Sequence, residues 1–172
     1  MPLDAKILGF SNTWYRPAMD HAEERELEKG LKIRLVAPVY FCASKLEAFA
    51  GRGKNDFHAS RDLEDLIAVV DGRAELAGEI RGAAGDVRSY LAKEIKKLTS
   101  SREFNDALPG HLPPDAGSQD RVGTIISRLE EIASLKPRPF YSEVAPGMKT
   151  SSRHSRQSLG CFPTFWLAVI KT

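Results

Sequence analysis

A chain of 172 residues, 42% of them hydrophobic, fits one domain, or one smaller domain with an extension, around a single core. Lys and Arg number 25 against 23 Asp and Glu, and the formal charge of +2 excludes a global electrostatic pull toward nucleic acid, leaving such binding uncertain. Two cysteines far apart, Cys42 and Cys161, exclude a disulfide framework, and the longest apolar run, Phe165 to Ile170, is too short to span a bilayer, so no membrane partner is expected.

The chain opens Met1-Pro2-Leu3-Asp4 with no basic region leading into an apolar core, so no signal peptide is read there and a cytoplasmic location is expected. Ile7 to Phe10 suits a short extended piece, and Ser11 to Pro17 a loop or the approach to a helix. Ala18 to Lys29 is charged and helix-favouring and is followed by Gly30, a natural C-terminal cap, so a helix is expected there. Lys32 to Val36 alternates as a strand with Ile33 and Leu35 on one face, ended by Pro38. A helix over Phe41 to Ala50 places Cys42, Leu46, Phe49 and Ala50 on its apolar side and stops at Gly51-Arg52-Gly53.

After a polar loop, Ser60 is a good N-cap for a helix over Arg61 to Val70, which buries Leu63, Leu66, Ile67 and Val70 before Asp71-Gly72 closes it. Two more helices follow from apolar spacing. Asp86 to Leu98 carries Val87, Leu91, Ile95 and Leu98, and Gln119 to Leu135 carries Val122, Ile125, Ile126, Leu129 and Ile132. Leu108 to Pro114, with three prolines, is expected to be a rigid non-helical connection. One strand cannot satisfy its own edges, so further sheet is expected from elsewhere: from self-association or from a partner chain. The fold class is α/β, mainly helical in this sequence.

Residues 1–135 are expected to form the domain and 136–172 a poorly ordered tail. From Lys149 onward the tail carries Lys149, Arg153, Arg156 and Lys171 and no acid, so the preceding residues carry a formal charge near −2. Phe162, Phe165 and Trp166 in that tail favour association over specific recognition.

The densest group of chemically capable side chains runs from Lys45 to Asp65. Asp62 and Asp65 stand three apart and share a helix face, in a first turn that favours carboxylates even without function. Lys45 on one helix can meet Asp62 on the next, which sets a cation suited to phosphate beside a carboxylate; a structural salt bridge with a capped helix explains the same spacing. His58 near Asp56 suits a local hydrogen-bonded pair, with a general base as the alternative. The four histidines form no ligand-spaced set with cysteine, so no zinc site is expected. Gly51-Arg52-Gly53-Lys54 lacks the spacing and the Lys-Ser/Thr pair of a phosphate-binding P-loop. Trp14 and Tyr15 are read as packing anchors, with base stacking as the alternative.

Val39 to Phe49 (with Ala43-Ser44-Lys45-Leu46-Glu47-Ala48 at its centre), then Arg52-Gly53, then Ser60 to Leu66, together resemble the nucleotidyltransferase-like family of abortive-infection and type IV toxin–antitoxin systems. Met1 to Asn12, Trp14-Tyr15 and Leu108 to Pro113 also resemble a bacterial branch of that family, and the likeness extends over Met1 to Leu135. It implies a partial nucleotidyltransferase-like fold with a helical second half. Lys45 then corresponds to a lysine that contacts a nucleoside triphosphate, Asp62 and Asp65 to a paired aspartate motif with catalytic or supporting roles, and Arg52 and Arg61 to secondary phosphate contacts or groups that orient Asp62. Mg2+ and a nucleoside triphosphate are the cofactors implied for a complete homologue, and an antitoxin-like protein is an implied partner.

The sequence departs from that pattern where the chemistry is most demanding. Such enzymes need a Gly-Ser motif followed by metal-binding aspartates on strands, because those carboxylates hold the divalent ions that neutralise the triphosphate. Gly117-Ser118 is the sole Gly-Ser pair, and the strand Lys32 to Val36 carries no acid. Asp4 alone does not make a metal pair, so no metal ligands are assigned. The expectation is the back part of such a domain, by late start or truncation, inactive alone; an active metal-dependent nucleotidyltransferase acting on a protein, nucleic acid or small acceptor is the alternative.

Overall fold

A computed structural model describes residues 11–53 and 56–136. The expectations for Ile7 to Phe10, for Asp4 and for the tail beyond Lys136 lie outside the described residues. In chain order the elements are α1 (Tyr15–Asp20), β1 (Glu23–Glu28), β2 (Leu31–Leu35), α2 (Pro38–Arg52), α3 (Arg61–Gly72), α4 (Leu76–Gly82), α5 (Gly85–Ser100), α6 (Arg102–Ala107), a 3-10 turn (Leu108–His111), α7 (Ala116–Gln119) and α8 (Val122–Ala133). The described residues are therefore mainly helical, with one two-stranded antiparallel sheet.

The helix expected over Ala18 to Lys29 is not formed. The chain makes the short α1 and then turns Glu23–Glu28 into β1, which pairs antiparallel with β2 from Glu23 opposite Leu35 to Glu28 opposite Leu31. The physical reason is visible in the residues: Glu-Glu-Arg-Glu-Leu-Glu has helix-favouring side chains but no apolar stripe to bury, whereas β2 has backbone groups that need a partner. Gly30 caps no helix; its φ of 85° serves the hairpin turn, and its N–H donates to Glu26 Oε1 at 2.9 Å.

Pro38, expected only to end the strand, opens α2 at a position where a missing N–H costs nothing, so α2 is longer than the expected Phe41 to Ala50. Cys42, Leu46 and Phe49 are buried as the spacing predicts, together with Ala43 and Ala48, but Ala50 is exposed. The stripes of α3, α5 and α8 are buried as expected: Leu63, Leu66, Ile67 and Val70; Val87, Leu91, Ile95 and Leu98; Ile125, Leu129 and Ile132. Val122 and Ile126 are partly buried against them.

In the resulting core, α2 packs against α3 and α5, and α8 closes the other side against α5 and α3. Phe104 of α6 and Leu108 of the 3-10 turn are fully buried, so the proline-rich connection, expected to be non-helical from Leu108 to Pro114, is helical over Leu108–His111, where it contributes to the core, and non-helical at Leu112 to Pro114. Trp14 is buried beside Tyr90 with ring centroids 5.0 Å apart, which makes it a packing anchor. No described helix is long and apolar enough to cross a membrane.

Candidate functional site

Two helices that pack against each other bring together the residues singled out by the motif. Lys45 lies in α2 one turn before Phe49, and Arg52 occupies its last turn; both project toward the start of α3. At the other side, Ser60 has extended backbone and its hydroxyl accepts the Leu63 N–H at 3.3 Å, fixing where α3 begins. The far end of α3 is held as firmly. Arg128 of α8 donates to the carbonyls of Val70 and Asp71 at 2.8 and 2.6 Å, satisfying acceptors that a helix terminus leaves open. Arg121 also pairs with the Asp71 carboxylate at 3.0 Å.

Asp62, in the first turn of α3, is the buried member of the group, with 10% of its side chain exposed. Arg52 meets it with a fork: Nε donates to Oδ2 at 3.1 Å and Nη2 to Oδ1 at 3.0 Å. Lys45 Nζ lies 3.4 Å from Asp62 Oδ1 and also pairs with Asp65 Oδ2, so one ammonium bridges both carboxylates. The same Nζ sits 5.4 Å from the centroid of the Phe41 ring. The hydrogen bond to Asp62 raises the Arg52 pKa above the ordinary guanidinium value, opposed by burial and reinforced by the charges of Asp62 and Tyr15.

Of the five residues implied by the resemblance, four converge: Lys45, Arg52, Asp62 and Asp65. Arg61 does not. It is exposed at the first position of α3, and no ion pair among the described residues includes it. Phe41 and Tyr15 are additions to the group that spacing did not pick out; a residue one turn before Lys45 on α2 is the signal that points to Phe41.

The Arg-Gly step has a steric cause. A Cβ at Gly53 would lie 2.6 Å from Phe49 Cδ2 and closer still to the Phe49 carbonyl, to which the Gly53 N–H donates at 2.9 Å. Glycine therefore lets α2 end tightly over its own last turn and keeps Arg52 aimed at Asp62.

Two other groups resolve as local hydrogen bonding. His58 and Asp56 are joined through the backbone, the His58 N–H donating to Asp56 Oδ1 at 3.1 Å, with the Ala59 N–H sharing that oxygen at 2.9 Å. Gly117-Ser118 lies in α7, where Asp115 caps the helix by accepting the Ser118 N–H at 2.9 Å and also accepts the Ser118 hydroxyl at 2.6 Å. A groove of about 340 Å3 between the α3 start and the 3-10 turn is lined by His58, Ser60, Glu64 and His111 and contains none of the four clustered residues. His111 Nε2 bonds the Phe57 carbonyl at 2.7 Å across that groove.

The cluster's donor set does not suit the divalent ion that the sequence resemblance implies. Both Asp62 oxygens are engaged by Arg52, Lys45 already neutralises the pair, and among the described residues no group of three His, Cys, Asp or Glu side chains is disposed around one point. What the arrangement offers chemically is a half-exposed guanidinium and a partly exposed ammonium at one helix junction, each already matched by a carboxylate. No family model, curated protein or solved structure matches the chain.

Proposed function

We propose that the chain is a nucleotidyltransferase-related domain that retains a nucleotide-phosphate contact surface at the α2–α3 junction and does not transfer a nucleotidyl group by itself. The observation that carries this reading is the convergence of Lys45 and Arg52 from α2 on Asp62 and Asp65 of α3. A triphosphate reaches the junction from the solvent side of Lys45 and Arg52, whose cationic donors suit phosphate oxygens, while the buried Asp62 keeps its partners. Transfer needs carboxylates that hold divalent ions, and the sequence has no Gly-Ser followed by Asp-x-Asp on a strand. The active-enzyme alternative therefore requires an acidic pair from outside these residues.

A second reading has its own observation. The Arg52–Asp62 fork and the Lys45 bridge leave every charge in the cluster compensated, as in an ion-pair latch that fastens α3 to α2.

Calorimetric titration with ATP and with GTP, in magnesium, separates the two. The folded chain binds and Lys45→Ala, shown folded by circular dichroism, loses binding if the junction contacts phosphate. No heat from well-folded protein overturns the phosphate reading and leaves the latch.

A further inference from the structure

Lys45 Nζ lies between two carboxylates, 3.4 Å from Asp62 Oδ1 and in ion-pair contact with Asp65 Oδ2. Asp62 and Asp65 stand three apart on one face of α3, so their oxygens flank a single point. Two carboxylates around one point are an ordinary way to hold a divalent ion. Here that point holds a side-chain ammonium.

The surroundings suit a monovalent cation. The Phe41 ring, with its centroid 5.4 Å from Nζ, offers a π-face and no oxygen ligand. Mg2+ needs about six oxygens in a near-octahedral array. Asp62 has no oxygen to spare, since the Arg52 fork takes both. Asp65 gives one oxygen to the ammonium, and its other oxygen is a single ligand beside a fixed positive charge.

Electrostatics weigh the same way. Asp62 belongs to the first turn of α3, at the positive end of that helix's dipole. A divalent ion entering there meets two side-chain cations and a helix N-terminus, against two carboxylates that are already neutralised. The consequence falls on the ligand. Mg2+ on a triphosphate covers phosphate oxygens and cancels two negative charges, both of which Lys45 and Arg52 need for binding.

We propose that the Lys45 ammonium takes the place of a divalent ion between Asp62 and Asp65, and that the α2–α3 junction accordingly takes a polyphosphate anion free of divalent ion. The second half rests on the phosphate reading; the first half does not.

Two arms test this, both on the full chain. In the first, Mn2+ binding is followed by the electron paramagnetic resonance signal of the free ion. Asp65→Asn leaves any Mn2+ binding by the parent chain unchanged. Lys45→Ala, shown folded by circular dichroism, gains Mn2+ affinity by at least about ten-fold, and the added Asp65→Asn removes that gain. In the second arm, calorimetry finds ATP bound to the parent chain at least about five-fold more tightly in EDTA than in excess magnesium.

Mn2+ binding by the parent chain that Asp65→Asn abolishes overturns the proposal, and so does a folded Lys45→Ala chain that gains none. Tighter ATP binding in magnesium overturns the ligand half and leaves the phosphate reading standing. No ATP binding in either buffer overturns the phosphate reading and the ligand half with it, and the Mn2+ arm alone then decides what belongs between the two carboxylates.

Discussion

Arg52 grips Asp62 through two N–H···O bonds of 3.1 and 3.0 Å, joining the last turn of one helix to the first turn of the next across a loop. Half of the Arg52 side chain is in solvent and only 10% of Asp62, so the two ends of the pair differ in what their loss exposes. Removing Asp62 takes the shared carboxylate from two cations, and Asp62→Ala is expected to cost about 1–3 kcal/mol. Arg52→Ala leaves Asp62 with Lys45 and costs about 1 kcal/mol, because water screens the exposed guanidinium. Urea denaturation of both single variants and the double variant gives the coupling, expected at about 1 kcal/mol. Additive single effects would show that the fork contributes nothing to stability.

Gly53→Ala tests the tight ending of α2. Its backbone φ of −71° suits any residue, so the cost comes from the Phe49 ring and carbonyl that an added Cβ would meet. An expected loss of about 1–3 kcal/mol follows from forcing that turn apart. The displaced Arg52 should also lose part of its coupling to Asp62. A Gly53→Ala chain as stable as the parent would mean that the loop relaxes freely.

The helical core was legible because burial follows the spacing of Leu63, Leu66, Ile67 and Val70, of Val87, Leu91, Ile95 and Leu98, and of Ile125, Leu129 and Ile132. β1 was not, since Glu23 to Glu28 has a helix-favouring composition and its strand state depends on a tertiary partner, β2. α4 and α6 leave no mark in the sequence because seven and six residues give too few turns for a period to emerge. Within the site, the Lys45 to Asp62 meeting could be argued from helix spacing, but the Arg52 fork depends on how α2 ends at Gly53, and the isolation of Arg61 on which way the first residue of α3 faces. Neither is encoded in a period.

Cys42 gives a prediction in pH. Burial, the largest cause, together with the charge of Glu79 pushes its thiol up to about 12, from an ordinary value of 9.0. The native thiol therefore stays protonated while the unfolded thiol ionises from about pH 9 upward, so stability is undiminished below that value and falls as pH rises toward about 12. Cys42→Ala should lose this part of the alkaline decline in thermal denaturation between those values. At about pH 8, alkylation of Cys42 followed by peptide mass spectrometry should track global unfolding, because only the thiolate reacts. Rapid modification of Cys42 in the folded chain would contradict its burial.

Ser60 tests whether the start of α3 governs the site. Its hydroxyl accepts the Leu63 N–H, and Asp62 and Asp65 follow in the first and second turns, so the cap helps set the position of both carboxylates relative to Lys45 and Arg52. Ser60→Ala is expected to cost about 0.5–2 kcal/mol, and Ser60→Asp, which retains a capping oxygen, much less. The added acid in Ser60→Asp also lies favourably toward the helix dipole, which offsets its repulsion by nearby carboxylates. Hydrogen exchange at the Leu63 amide reads the cap directly: protection should fall in Ser60→Ala and persist in Ser60→Asp. Unchanged protection in Ser60→Ala would mean that Arg52 and Lys45, by holding Asp62, fix the start of α3 without the serine.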